Sequence, residues 1–288
     1  MDTSVIIPAF NEESRLPATL ASLAEANQRG ALTPLRVREV IVVDDGSSDR
    51  TGEVAHAASA DLPAVSVIPI DENRGKGHAV RHGMRAASQP WMLVADADEA
   101  TPWPEARKLA ERCAASKNPS IAIGSRGVEG SVIVSHQSRT RESLGKSFNA
   151  AVRLLTGLPF RDTQCGFKLL PREAMRAVVD RLSVDRFAWD VELLLFARDR
   201  GVPIFEVPVI WKHQDGSRIS LVFDGIEMVM TLVGIQLRRY AGALRAKSPE
   251  TDAVVGPPDA SRLRATASVT MAQSRVSSKR NTGSTEDR

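Results

Sequence analysis

Asp96 and Asp98 follow the apolar run Trp91-Met92-Leu93-Val94, separated by a single alanine. Residues two apart on extended backbone share a face, so the pair can grip one hard cation. Magnesium and manganese take oxygen ligands and commonly use one or two carboxylates together with phosphate oxygens. A cation held there would bridge a nucleoside diphosphate and stabilise it as a leaving group, which is Lewis-acid catalysis. Acids here also have a plainer use, capping the helix that starts near Pro102. Thr101 can fill that role by itself, which leaves both aspartates available.

A second acidic cluster, Asp44-Asp45-Gly46-Ser47-Ser48-Asp49-Arg50-Thr51, follows Val40-Ile41-Val42-Val43. Asp, Gly and Ser suit turns, and Asp49 or Thr51 suits a helix cap, but two adjacent carboxylates exceed what a turn requires. Either can accept hydrogen bonds from a nucleobase or ribose, with Pro8-Ala9-Phe10-Asn11-Glu12 as the neighbouring wall. Asn73-Arg74-Gly75-Lys76-Gly77-His78 can make a backbone concavity for phosphate, flanked by Arg74 and Lys76. It lacks the P-loop spacing, and its two glycines equally shape a turn. His78 and His82 lack the glutamate of a zinc-hydrolase motif and read as surface or packing residues. Arg126, Arg139, Arg141 and Lys146 gather downstream, with Arg218 further on. Arginine suits bidentate phosphate contacts and can offset developing negative charge, although an exposed loop also carries arginines for solubility alone. Asp162, Gln164, Asp190 and Glu192 add polar groups that, from spacing alone, serve equally as caps or ion pairs.

The elements that must position these residues alternate. Strands are expected near 4–9, 37–44, 65–70, 91–96 and 120–125, with helices near 14–29, 49–60, 75–88 and 103–116 between them. Short β-branched runs of this kind form buried parallel strands, and the β-α rhythm implies a mostly parallel sheet flanked by helices, an α/β fold. Each acidic cluster then sits at a strand's C-terminal end, the edge where open α/β sheets bind ligands. After Arg126 a loop containing Val132-Ile133-Val134 leads to a helix over about 140–156. A strand near 165–170, helices near 171–182 and 189–200, and a strand near 204–211 follow, with Pro208 suggesting an edge position. Residues 219–244 read as one amphipathic helix with a wide apolar arc. Beyond Ser248 the composition turns to Ser, Thr, Ala, Pro and mixed charge without periodicity, the signature of a disordered tail. The expected organisation is a domain over 1–218, an amphipathic helix over 219–247 and a tail over 248–288.

At 288 residues, 42% hydrophobic and 25% charged, the chain can bury a sizeable core. Its formal charge of +3 comes from basic residues scattered among nearly as many acids, a solvated surface that does not call for a nucleic acid. The two cysteines, Cys113 and Cys165, form no disulfide framework or zinc array, which fits a reducing cytoplasm. No apolar run reaches the length of a membrane span, and the N-terminus enters a strand without signal-peptide zones. Nothing in the pattern specifies an oligomeric state.

Taken together, Pro8 to Glu12, Asp44 to Thr51, Asn73 to Gly77, Asp96-Ala97-Asp98 and Gly124-Ser125-Arg126 resemble family 2 glycosyltransferases of the GT-A fold. Arg161 to Leu169, Phe187 to Leu194 and Glu206-Val207-Pro208-Val209 look like the dolichyl-phosphate β-glucosyltransferase branch. The resemblance implies transfer of glucose from UDP-glucose to a polyprenyl phosphate with inversion, on the cytoplasmic face of a membrane, with Mg²⁺ or Mn²⁺ as cofactor. It implies Asp98, Asp190, Arg126 and Arg141 as catalytic residues. Pro8, Phe10, Glu12, Asp44, Asp45, Lys76, Asp96, Asp162, Gln164 and Arg218 would contact substrate, and Asp96 and Asp98 would hold the metal. Phe10 departs from a tyrosine common in the family, and Glu99 stands where the glucosyl branch has glycine. Relatives that use GDP-mannose, family members with a soluble acceptor, and a nucleotide-sugar binder without turnover are the competing readings. The helix over 219–244, with Arg238, Arg239, Arg245 and Lys247 near its end, suits a membrane surface or equally a packed helix.

Overall fold

The computed structural model describes residues 1–58, 62–135, 139–214 and 223–247. The first half follows the expected rhythm: β1 (Asp2–Ala9), α1 (Leu16–Gln28), β2 (Arg36–Asp44), α2 (Thr51–Ala57), β3 (Val65–Pro69), α3 (Lys76–Ala86) and β4 (Trp91–Val94). A 3-10 turn (Trp103–Glu105) opens α4 (Ala106–Ala114), and β5 (Ile121–Ser125) closes this half. The second half holds β6 (Val132–Ser135), α5 (Arg139–Thr156), β7 (Lys168–Pro171), α6 (Arg172–Val179), α7 (Trp189–Asp199), β8 (Ile204–Pro208), β9 (Ile210–Lys212) and α8 (Phe223–Lys247).

Seven strands form one sheet in the order β3-β2-β1-β4-β7-β5-β8. The continuous apolar runs have a simple cause, since both faces of the sheet are covered. Ile6, Ile41, Val43, Met92 and Val94 point into one core, with Val80 of α3, Val152 of α5 and Leu232 of α8. Their chain neighbours Val5, Val40, Val42 and Leu93 point into the other, with Leu20 and Leu23 of α1 and Leu109 of α4. Successive side chains alternate across a strand, so a strand buried on both sides has no polar positions to spare.

The second half departs from the simple rhythm. β7 lies antiparallel between β4 and β5, so the sheet is mostly parallel. The apolar run at 132–134, expected as loop, is β6, and it pairs in parallel with β9 as a separate two-stranded sheet. The single strand expected over 204–211 breaks at Val209: β8 takes the edge of the main sheet beside β5, and β9 leaves it. Residues Met1–Arg239 form one compact unit, and a second begins at Tyr240. In α8, Met228, Leu232 and Ile235 are buried while Met230, Val233 and Leu237 are exposed. Among the described residues no helix is long and apolar enough to cross a membrane. Arg218 and the tail over 248–288 lie outside the described residues.

Candidate active site

β2, β1 and β4 are adjacent and parallel, so the residues that follow them meet on one rim of the sheet. A cavity of about 420 Å³ opens there. Pro8, Phe10 and Glu12 enter from the end of β1, Asp45 from β2, and Asp96 and Asp98 from beyond β4. Arg74 lines it from the segment before α3 and Lys76 from the first position of that helix. Seven of the residues expected to meet substrate or metal are thus brought together: Pro8, Phe10, Glu12, Asp45, Lys76, Asp96 and Asp98.

Asp96 and Asp98 converge for a reason other than strand alternation. β4 ends at Val94, and the two aspartates sit in the turn after it, with the Ala100 N–H donating to Asp98 Oδ1 at 3.0 Å. Burial works against both charges. At Asp96 the Lys76 ammonium, paired directly with the carboxylate, outweighs that penalty and holds the pKa below the usual range. At Asp98 burial, reinforced by repulsion from Asp96, pushes the pKa up. Two acids crowded so that one resists ionisation are a donor set that a divalent cation would satisfy. Among the described residues no group of three or more His, Cys, Asp or Glu gathers as a cation cage, so Asp96 and Asp98 would be the protein ligands and phosphate oxygens would complete the shell. Glu99 turns aside: it accepts a 2.7 Å hydrogen bond from Ser22 of α1 and holds a left-handed φ of 50°, where glycine would rest without strain.

Asp45 is 3% exposed and receives Asn73 Nδ2 at 3.0 Å, the Arg74 N–H at 3.3 Å and the Gly75 N–H at 2.7 Å. It therefore anchors the 73–75 segment as well as lining the cavity. Asp44 spends its carboxylate on the turn, accepting the Ser47 N–H at 3.0 Å, and does not reach the cavity. Gly75 and Gly77 prove to be close-packing residues. A Cβ on Gly75 would lie 2.7 Å from the Asp185 carbonyl oxygen, and one on Gly77 would lie 2.4 Å from that of Val184. Asp185 reinforces this interlock, accepting from Arg74 at 2.9 Å and Arg81 at 2.6 Å.

Arg126, Asp162, Gln164 and Asp190 do not line the cavity. Arg126 Nε and Nη2 clasp the buried Asp162 carboxylate at 2.6 and 2.9 Å, and its guanidinium lies 5.3 Å from the Trp211 ring of β9. Gln164 Nε2 reaches Met228 Sδ of α8 at 3.9 Å. Asp190, buried at the start of α7, lies 3.9 Å from the ammonium of fully buried Lys168. Burial pushes the Asp190 pKa up to about 6, only partly opposed by Lys168. Burial likewise lowers that of Lys168. Arg141 falls in the first turn of α5. Sequence reasoning missed Arg15, Asp185 and Arg186. Arg15 pairs with Glu12 through two 2.6 Å contacts in the turn that leads into α1, a spacing of three that sequence could have shown; Asp185 and Arg186 carry no local signal.

A doubly covered, mostly parallel sheet with a carboxylate pair and a ring of cations on its rim defines a GT-A-type glycosyltransferase. The chain belongs to glycosyl transferase family 2, whose pattern matches residues 4–179. It is 41% identical over 255 residues to a dolichyl-phosphate beta-glucosyltransferase of Drosophila melanogaster, covering 86% of this chain and 78% of that one. The Homo sapiens dolichyl-phosphate beta-glucosyltransferase is 38% identical, with 84% and 77% covered. Among solved structures, glucosyl-3-phosphoglycerate synthase from Mycobacterium tuberculosis shares the fold with a TM-score of 0.59 at 20% identity, covering 83% of this chain and 79% of that one. That protein was crystallised with Mn²⁺, UDP and glucosyl-3-phosphoglycerate, and also with Mg²⁺ and UDP.

Proposed function

We propose that this chain transfers glucose from UDP-glucose to a polyprenyl phosphate and inverts the anomeric carbon. The observation that carries this reading is the similarity to dolichyl-phosphate beta-glucosyltransferases, which spans both the carboxylate rim and the half of the chain around Asp162 and Asp190. Pro8, Phe10, Glu12 and Asp45 border the nucleoside. Asp96 and Asp98 would hold a Mg²⁺ or Mn²⁺ ion, which would supply Lewis-acid stabilisation to the departing diphosphate, and Lys76 and Arg74 add positive charge beside them.

The acceptor needs no strong base, because a phosphate monoester already carries about 1.5 to 2 negative charges near neutral pH. Asp190, the carboxylate nearest to a base role by resemblance, lies against Lys168 and does not line the cavity. It is read here as an internal counter-charge. Arg126, Arg141 and Arg218 are assigned to phosphate, with Asp162 orienting the Arg126 fork.

A polyprenyl phosphate resides in a bilayer, and α8 offers the contact. Met230 and Leu237 are 68% and 64% exposed, and Val233 lies between them on the same face, an arrangement suited to interfacial burial. The two free cysteines support the cytoplasmic side. Flotation with liposomes tests this part: a Met230→Glu, Leu237→Glu variant should stay with the soluble fraction while wild type floats.

The whole reading is tested by incubating the protein with a polyprenyl phosphate, Mn²⁺ or Mg²⁺, and labelled UDP-glucose or GDP-mannose. Lipid extraction and mass analysis should show a β-glucosyl phosphate lipid. A mannosyl lipid or a water-soluble product would replace the assignment. UDP binding with no transfer would make the protein a nucleotide-sugar binder.

A further inference from the structure

A second cavity, of about 270 Å³, opens between α8 and the segment 183–188, with Met228, Thr231 and Arg238 contributed by the helix. Arg186 and Phe187 line it, and the same two residues line the donor cavity. They are the partition between the two spaces.

The backbone of this partition is pinned. Asp185 holds Arg74 and Arg81, and the Arg186 carbonyl oxygen lies 2.9 Å from where a Gly77 Cβ would sit. The fully buried Glu192 accepts the Ser183 N–H at 2.9 Å, the Val184 N–H at 2.8 Å and Arg238 Nη2 at 3.1 Å. The Arg186 side chain reaches from this partition to α8. Lys76, Arg15 and Arg74 pair with Asp96, Glu12 and Asp185, whereas the carboxylate beside Arg186 comes from α8: its Nε lies 3.2 Å from Glu227 Oε1, with the two side chains 53% and 46% exposed. A half-exposed pair of this kind is weak. A phosphate dianion, with more charge and a geometry that fits the guanidinium fork, competes for it effectively.

We propose that Arg186 receives the acceptor phosphate at the passage between the two cavities, with Glu227 holding the guanidinium ready. This rests on the lipid-phosphate reading above. It also explains why the helix with the exposed apolar face supplies the acid: the acceptor's chain lies along α8 while its phosphate turns inward at Arg186.

The test uses farnesyl phosphate in vesicle-free buffer, so that membrane attachment plays no part. Arg186→Gln should raise the acceptor KM at least tenfold, leave the UDP-glucose KM within twofold and keep the Tm of wild type. Arg186→Lys should recover part of the acceptor KM, and Glu227→Gln, which leaves the guanidinium in place but no longer aimed, should raise it to a smaller extent than Arg186→Gln does. A rise in the donor KM instead would assign Arg186 to the diphosphate and overturn the proposal. So would an equal defect in Glu227→Gln, which would make the pair a mere tether for α8. An active wild type with an unchanged acceptor KM in Arg186→Gln defeats this inference alone; a wild type that glucosylates no isoprenoid phosphate defeats the functional reading and the inference together.

Discussion

Gly166→Ala is a small change with a large expected effect. A Cβ at this position would lie 2.2 Å from Asp96 Oδ2, 2.3 Å from Oδ1 and 2.4 Å from Cγ. Ordinary contacts need upwards of about 3.5 Å, so the carboxylate group must retreat by roughly 1 Å. Rotating it in place gives no relief, because both oxygens and the carbon between them are too close. The backbone at Gly166 has little freedom to yield instead: the Phe167 carbonyl accepts the Gly124 N–H at 2.8 Å, and the Cys165 carbonyl accepts the buried Lys168 ammonium. Asp96 must therefore leave its place beside Lys76 and Asp98. A displacement of about 1 Å at a reacting centre costs about 100-fold, and overpacking adds a stability loss of about 1 to 3 kcal/mol. Gly234→Ala is the control, since no atom lies within 4 Å of its added methyl and a helix interior gains up to about 1 kcal/mol from alanine. Electron paramagnetic resonance titration with Mn²⁺, initial rates at saturating substrates and thermal melts separate the effects. Gly166→Ala should bind Mn²⁺ weakly and turn over slowly even at temperatures where it is fully folded. Wild-type Mn²⁺ affinity and kcat in this variant would refute the claim that Gly166 seats the Asp96 carboxylate.

Other expectations follow from the charges. Asp98→Ala should lose about a thousandfold in kcat, several kcal/mol of leaving-group stabilisation, while Asp190→Asn should lose less than about tenfold; equal, near-complete losses with donor binding intact would contradict a phosphate acceptor. Asp162→Asn leaves the Arg126 guanidinium without its carboxylate and should cost about 3 kcal/mol, seen as a Tm lower by roughly 6 to 12 °C. Asp190 has a folded pKa raised by burial to about 6, above its unfolded value of about 3.9. Its stabilising contribution is therefore fully present below the unfolded pKa and is lost as pH rises through 6. The Tm of Asp190→Asn relative to wild type should accordingly climb between pH 4 and 7, by up to about 3 kcal/mol in stability, and a pH-independent difference would show that Asp190 does not titrate in this range.

What could be read from the sequence divides along a physical line. Val40 to Val43 and Trp91 to Val94 are legible because a strand buried on both faces must be apolar at every position. Once those strands are placed in parallel, Asp45, Asp96 and Asp98 have to emerge on one rim. Partners distant in sequence leave no such trace. Arg74 and Asp185 are 111 residues apart, Lys168 of β7 meets Asp190 of α7 at 3.9 Å, and β6 pairs with β9 although its apolar run is only three residues long. The same distinction explains the two glycines at the start of α3, Gly75 and Gly77. Gly-x-Gly beside a lysine suggests a phosphate cradle when only neighbours are considered, yet the atoms that demand the missing side chains belong to Val184 and Asp185. Groups that touch a ligand sit at element ends, where local pattern places them. Groups that orient those side chains come from wherever the fold brings a complementary charge. Asp162 under Arg126 and Glu227 beside Arg186 are both of the second kind, so removing either acid should act first through the arginine it aims.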